Sequence, residues 1–385
     1  MAGMHTLDTA LRPIIDRIRA ASADGTALRI RGGGSKDFYG NRLEGELLDT
    51  RPLSGILSYE PTELVVTVGA GTPLNELEAL LAERGQCLAF EPPHFGWSQN
   101  TGATVGGMVA AGLSGPARAS AGAVREFVLG LRLVNGRGED LVYGGQVMKN
   151  VAGYDVSRMM VGSMGTLGLI TEVSLKVLPV APAEATLVFP LDQASALDCL
   201  HRWGGQPLPL NASCWVHDDT ASPAQDLLFV RLRGAVAAVE AACTKMLGEQ
   251  TGQRMDNAQA MADWELCRNQ QLPFFERAPG ADQVLWRLSV PQTAPVLDLP
   301  SSPLIEWHGG LRWLWAPLAT GPALQAQATA HGGNATVFVA SHADSTRAGG
   351  PISLQDPALM AIQQRLKASL DPQGIFNPHR LFAAW

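Results

Sequence analysis

The sequence predicts an α+β protein of two or three domains. Three observations carry the prediction. At 385 residues the chain exceeds the ~250–300 residues over which one hydrophobic core keeps growing. Its composition, 46% hydrophobic and 17% charged, supports a large core and argues against disorder. Its hydrophobic periodicity alternates between helical and strand spacing, and a fresh β-α-β-β-α series begins after Glu184.

In chain order, Leu7, Leu11, Ile14, Ile15 and Ile18 recur at helical spacing and predict a helix over 7–21. Residues 27–30 read as a strand running into Gly32-Gly33-Gly34-Ser35. Consecutive glycines let the backbone curl and offer its N–H groups to an anion. The loop is neither a Walker A sequence nor a Rossmann G-x-G-x-x-G entering a helix. Leu64–Val68 predicts a buried strand, and Thr72-Pro73 an N-cap with proline at the first helical position. Leu74, Leu77 and Leu81 then form a buried stripe that Gly85 ends.

Residues 91–125 are rich in Gly, Ala and Ser, interleaved with Val105, Met108, Val109 and Leu113. Small residues among apolar ones suit a backbone lying close against a flat ligand. Val124–Val134 and Glu139–Tyr143 predict a hairpin turning at Asn135-Gly136. Asp155–Val161 predicts a helical turn or two, and Leu169–Val177 a strand. Pro179 and Pro182 mark a boundary. Beyond it lie strands at 185–189, 212–216 and 227–232 and helices after Asp192 and over 235–247, the order that opens a ferredoxin-like unit. Further strands are expected at 284–290, 304–308, 311–315 and 337–339. A last helix from Asp356 to Ala368 is expected to bury Leu359, Ile362 and Leu366.

Several function classes are disfavoured. The net charge is −7, with no basic run to track a phosphate backbone. Five scattered cysteines form no C-x-x-C pair, so no iron–sulfur cluster or structural zinc is expected, and they read as reduced thiols of a cytoplasmic protein. No secretory signal or apolar stretch of membrane-spanning length is expected.

The motifs form a series: the glycine loop, T-P-L-N-E-L-E-A-L-L, G-A-T-V-G-G-M-V-A, S-G-P-A-R, K-N-V-A-G-Y-D-V, G-T-L-G-L-I-T-E-V and the closing D-P-Q-G-I-F-N-P. Over residues 5–180 this series resembles the FAD-binding domain of the vanillyl-alcohol oxidase / p-cresol methylhydroxylase (PCMH) superfamily. V-M-K-N-V-A-G-Y-D-V-S-R-M and W-H-G-G-L-R-W-L resemble, more narrowly, the FAD-binding subunits of bacterial glycolate oxidases. The resemblance implies a PCMH-type FAD-binding domain of two α/β subdomains over 1–180, a ferredoxin-like cap over 181–355 and a return segment over 356–385.

It further implies that Arg31, Gly32, Gly33, Gly34, Ser35 and Lys36 cradle the pyrophosphate. Gly102, Ala103, Thr104, Val105, Gly106, Gly107, Ser114 and Gly115 would line the ribityl chain and isoalloxazine, and Gly168, Leu169 and Ile170 would touch the flavin through backbone. Covalently flavinylated relatives carry histidine in the first glycine loop. Here Ser35 stands there and residues 91–125 hold no cysteine, which implies non-covalent FAD. Met164 replaces an acid found in many relatives.

The implied activity is FAD-dependent oxidation of glycolate or another small 2-hydroxy acid. The implied partners are a larger FAD-containing subunit and an iron–sulfur subunit, which would bring a cytoplasmic chain to the inner membrane. Such chemistry needs an arginine for the substrate carboxylate and a base for its hydroxyl. Arg287, His308, Arg312 and His342 are the candidates. Arg287 could equally turn to solvent by alternation, and His308, before Gly-Gly, could bond only backbone. His331 and His342 fall where larger-subunit dehydrogenases carry a divalent metal, but no H-x-H set accompanies them and no metal is expected. Two other readings are a flavin electron-transfer or scaffold subunit and a stand-alone 2-hydroxyacid dehydrogenase. Tryptophans around Trp307–Trp315 are the expected partner surface, although core packing is the commoner role of tryptophan.

Overall fold

The computed structural model describes residues 2–95, 102–145, 155–220, 222–276, 280, 282–339 and 357–382. The chain divides into two compact units. The first takes the described residues of Met1–Leu113, Ala123–Pro179 and Ser345–Trp385, and the second those of Ser114–Gly122 and Val180–Asp344. The division after Pro179 falls one residue from the expected boundary. Ser114–Gly122 is the departure, because it packs with the second unit. The expected boundary at 355 lies outside the described residues.

In the first unit, Leu28–Arg31 pairs in parallel with Glu46–Asp49. Beside this pair stands an antiparallel sheet in the order Ile56–Glu60, Val65–Gly69, Leu169–Lys176, Val128–Val134, Asp140–Gly144. Alternation sends successive side chains to opposite faces, and both faces are buried. Leu133, Val173 and Leu175 pack on the helices Leu74–Ala82 and Val105–Ala111 through Leu74, Leu77, Leu81, Val105 and Val109. Val134 and Leu169 pack on the Ala2–Asp24 helix through Leu7, Leu11, Ile14 and Ile18.

Three local expectations change. Pro73, not Thr72, is the N-cap of Leu74–Ala82, because the Thr72 hydroxyl donates back to the Gly69 carbonyl at 2.7 Å. Val124–Phe127 is a helical turn closed by Glu126, whose carboxylate accepts from the Ala123 N–H at 2.6 Å, and the strand starts at Val128. In the helix Pro357–Leu370, Leu359 and Ile362 are 48% and 51% exposed. The buried face carries Lys367 and Leu370 instead.

The second unit, among its described residues, is one antiparallel sheet of eight strands. Its first half runs strand Ala183–Pro190, helix Gln193–Gly204, strands Leu210–Asp218 and Gln225–Gly234, helix Val236–Glu249, strand Gln253–Arg254. Numbered along the chain, these strands lie in the order 4-1-3-2, the ferredoxin-like arrangement the sequence led us to expect. Asp192 caps the first helix by accepting from Ser195 N–H at 2.9 Å. The second half repeats the pattern with strands Gln283–Ser289, Leu304–Glu306, Leu311–Pro317 and Asn334–Val339 in the order 2-3-1-4. A proline-rich loop carrying Val290, Ala294 and Leu297 replaces its first helix and fills the same core. Trp307, Trp313 and Leu314 are buried, which corrects the expected partner surface: the Leu311–Pro317 strand is covered on both faces.

Candidate functional site

The glycine loop starts where the Leu28–Arg31 strand ends. It is held in shape by its own turns: Asp37 N–H donates to Gly34 O at 3.1 Å, and Tyr39 N–H to Lys36 O at 3.1 Å. Arg31 Nε reaches across it to Asp37 Oδ2 at 2.7 Å. Steric demand explains each glycine. A Cβ on Gly33 would stand 1.7 Å from the Gly102 carbonyl oxygen, and one on Gly32 2.3 Å from Thr104 Oγ1. Gly34 has φ +78°, and its Cβ would meet the Arg31 guanidinium.

The loop forms one wall of a pocket of about 90 Å³. Arg31, Gly32, Gly33, Gly34, Ser35, Lys36, Thr104 and Gly107 all line it. Lys36 Nζ donates to Ser35 Oγ at 3.2 Å and stands 5.6 Å from the Phe95 ring centroid. Three cationic side chains, Arg31, Lys36 and Arg380, face one carboxylate, Asp37. A wall stripped of side chains, carrying a hydroxyl and excess positive charge, fits the diphosphate of a dinucleotide.

Asn377, Arg380 and Met164 also line the pocket, and sequence reasoning did not assign them to it. The signal was the closing D-P-Q-G-I-F-N-P motif. Asp371 accepts from Ile375 N–H at 3.1 Å and Phe376 N–H at 2.8 Å. Lys367 Nζ joins Asp371 Oδ2 at 2.6 Å, Thr166 O at 2.6 Å and Phe376 O at 3.0 Å. Burial lowers the Lys367 pKa, and the Asp371 carboxylate opposes that shift. The turn delivers Asn377, whose Oδ1 accepts from Ile30 N–H at 2.7 Å and whose Nδ2 donates to Met164 O at 2.7 Å.

Other residues expected at the cofactor make contacts within the protein. Ala103 O accepts from Leu74 N–H at 2.8 Å, and Val105 N–H donates to Thr72 O at 2.9 Å. Gly106 presses on the Ala70 Cβ, so its missing side chain makes room for the sheet. Gly168, Leu169 and Ile170 stand against the core, with Leu169 and Ile170 inside the five-stranded sheet. None of these lines the pocket. Ser114 and Gly115 belong to the second unit, where the Gly115 carbonyl accepts from Trp307 Nε1 at 3.0 Å.

Of the catalytic candidates, the structure gathers Arg287 and His308 around Trp307. The Arg287 and Arg118 guanidiniums lie 5.2 and 4.4 Å from the Trp307 ring centroid. Arg287 Nε is buried and has no hydrogen-bond partner among the described residues. Trp307, His308 and Gly309 are three successive residues with positive φ, a strained run of the kind that collects at functional sites. The His308 ring bonds Ser213 Oγ through Nδ1 and Ser120 Oγ through Nε2, each at 3.0 Å. Burial pushes its pKa down to about 4, which keeps the ring neutral. Arg312 corrects the sequence expectation. It is fully buried, its guanidinium donates to the carbonyls of Pro295 at 2.7 Å, Ala294 at 2.8 Å and Gly309 at 3.5 Å, and burial lowers its pKa to about 10. It braces the proline-rich loop and has no face for a substrate. His342 lies outside the described residues.

A larger cavity of about 370 Å³ opens in the second unit between its sheet and the helix Asn257–Arg268, lined by Trp264, Phe274, Trp315, Cys214 and Cys267 among others. None of the sequence candidates lines it. Among the described residues, no group of three or more His, Cys, Asp or Glu side chains could hold a metal ion, and no helix is long and apolar enough to cross a membrane.

Comparison with known proteins agrees with this geometry. Residues 12–143 match the model of an FAD binding domain family, a stretch that includes the glycine loop and Thr104–Gly107. The glycolate oxidase subunit GlcD of Bacillus subtilis (strain 168) is 32% identical over 144 residues, 37% of this chain and 30% of that one. A D-lactate dehydrogenase of Anaerostipes hadrus is 33% identical over 156 residues, 40% of this chain and 31% of that one. A solved alkyldihydroxyacetonephosphate synthase shares the fold, with a TM-score of 0.65 at 16% identity over 96% of this chain and 75% of that one. The glycolate oxidase subunit GlcE of Escherichia coli (strain K12) is 43% identical over 370 residues, 96% of this chain and 97% of that one. With a match running through both units, and a glycine-walled pocket where the FAD-binding family model falls, the chain belongs to the GlcE family of FAD-binding glycolate oxidase subunits.

Proposed function

We propose that the chain is the FAD-binding subunit of a multi-subunit glycolate oxidase that converts glycolate to glyoxylate. The observation that carries this reading is the cationic glycine-walled pocket of the first unit, which suits the FAD diphosphate. Bound FAD supplies a hydride acceptor. In this reading FAD is held without a covalent bond, since Ser35 offers no ring nitrogen for attachment. Arg287, whose buried Nε has no partner among the described residues, is the residue suited to a substrate carboxylate. Electrons leave through an iron–sulfur subunit, a larger flavin subunit completes the assembly, and these partners hold a cytoplasmic chain at the inner membrane.

A second reading, that this subunit carries flavin for electron transfer while its partner does the chemistry, draws support from His308. Both of its ring nitrogens are engaged by serines, so the ring is poorly placed to take a substrate proton. One experiment separates the two. The purified chain should release one intact FAD per chain on acid precipitation. Glycolate added anaerobically to the isolated chain bleaches the flavin if the chain has its own substrate site. Bleaching only in the assembled complex supports the second reading. A lone chain recovered from native extract with full glycolate turnover refutes the partnership.

A further inference from the structure

Arg380 is a buried cation that meets no counter-ion among the described residues. It is 4% exposed, and no carboxylate among the described residues lies within ion-pair distance. Its Nη2 donates to Lys36 O at 3.2 Å and Asp37 O at 3.0 Å, and its Nη1 donates to Asn41 O. A guanidinium has five N–H donors, so these three bonds leave two in hand. Removing a cation from water is costly unless a charge of opposite sign meets it. Burial accordingly lowers the Arg380 pKa to about 10, although Asp37 works against that shift. The side chain lines the same pocket as the glycine loop.

We propose that Arg380 is a binding residue for the FAD diphosphate, and that the 371–382 segment holds the glycine loop in its binding form. The proposal rests on the reading of that loop as the diphosphate cradle.

The segment meets the cradle on two sides. Asn377 bonds the last turn of strand before the glycines and the Met164 carbonyl, both on the pocket wall. The Arg380 carbonyl accepts from Asn41 N–H at 3.0 Å, and Asn41 Nδ2 donates to His379 O at 2.9 Å, which fixes the far end of the loop. Leu28 N–H donates to Ile375 O at 2.7 Å and Asn377 N–H to Leu28 O at 2.9 Å, so the segment runs beside the Leu28–Arg31 strand. The three bonds that Arg380 makes are to carbonyls. They orient the guanidinium but leave its charge for an anion. Binding and tail order are therefore linked: FAD that meets Arg380 stabilises the segment that presents it.

The test uses full-length protein stripped of flavin and retitrated with FAD, read by flavin fluorescence, with far-UV circular dichroism and a thermal midpoint to report folding. Arg380→Met keeps the stem and removes the charge. It should weaken FAD binding at least tenfold while the spectrum stays native, and Arg380→Lys should recover part of the loss. Hydrogen exchange of the peptide covering 371–382 should slow on adding FAD to the parent protein and not in Arg380→Met. Gly33→Val is the control on the cradle itself. If Gly33→Val abolishes binding while Arg380→Met retains parental affinity, the role of Arg380 is overturned and the cradle stands. If both variants bind FAD as the parent does, the cradle reading falls with it. If Arg380→Met fails to fold, Asn377→Asp takes its place. It keeps the acceptor for Ile30 N–H, loses the donor to Met164 O, and should weaken binding without unfolding the chain. Parental affinity in that variant overturns the proposal.

Discussion

Each unit of this molecule encloses an arginine, and the two make opposite use of the same chemistry. Arg312 and Arg380 are both buried, both donate to three backbone carbonyls, and burial lowers both pKa values to about 10. Arg312 stands between a strand and the loop that replaces a helix, where the carbonyls of Ala294 and Pro295 have no helix ladder to join. Its guanidinium bonds lie within its own unit, and it lines neither of the two cavities described above. Arg380 stands on the wall of a pocket whose lining includes the glycine loop, Ser35 and Lys36. The residue type and even the local bonding are alike. Only the cavity beside one of them separates a brace from a binding group.

Three measurements sharpen or break that contrast. The largest effect is expected from Arg312→Leu. Three buried carbonyls lose their donor, and the second unit should lose about 3 kcal/mol of stability in denaturant titration. FAD bound per folded chain should not change. A variant of parental stability with impaired flavin binding would reverse the roles assigned to the two arginines.

The next effect depends on pH and belongs to His308. Its folded pKa of about 4 lies below the ordinary histidine value. Under acid the unfolded chain therefore takes up a proton that the folded chain refuses. The stability contributed by the neutral ring is complete above about pH 6.5 and is lost as pH falls towards 4, amounting to about 2 kcal/mol by pH 5. Urea midpoints measured at pH 8 and pH 5 should converge in His308→Asn, a residue that also tolerates the positive φ at this position. An unchanged pH slope in that variant would place the titrating group elsewhere.

The smallest effect concerns the helix Pro357–Leu370. Leu359 and Ile362 are about half exposed, so serine at both positions should shift the stability of the isolated chain by less than ~0.5 kcal/mol each. A loss of several kcal/mol would mean that these residues are covered in solution, as the periodicity alone suggested.

Much of the first unit was legible in the sequence because its signals are steric and local. Gly32–Gly34 announce a backbone that tolerates no Cβ, and Leu74, Leu77 and Leu81 announce a buried stripe; both are where they were expected. The ferredoxin-like half was readable for the same reason, since strand and helix periods alternate cleanly from Ala183 to Arg254. The second half was harder. A loop fills the place of a helix, so the repeat shows in strand order and not in sequence period. Side-chain roles were the least legible. Arg312 and Arg287 both lie on alternating strands, and alternation says which face a residue takes without saying what waits there. Asn377 and Arg380 were missed although their motif was noticed, because their partners at Ile30 and Lys36 lie more than three hundred positions away. The outward turn of Leu359 has a similar cause: Lys367 is drawn inward by Asp371 and the carbonyls of Thr166 and Phe376, and the helix rotates with it.

The pairing of Leu28 with Phe376 also governs the birth of the protein. A chain made from its N-terminus can build the Ala2–Asp24 helix and much of the five-stranded sheet early, and can pair Leu28–Arg31 with Glu46–Asp49, but the other edge of that strand has no partner until the 375–377 stretch has been made. Domains fold as units during synthesis, and unpaired strand edges are where nascent chains associate wrongly. The loop that receives the cofactor is thus among the last parts to be finished, and a prematurely terminated chain lacking the 371–382 segment would present an open strand edge and no completed pocket.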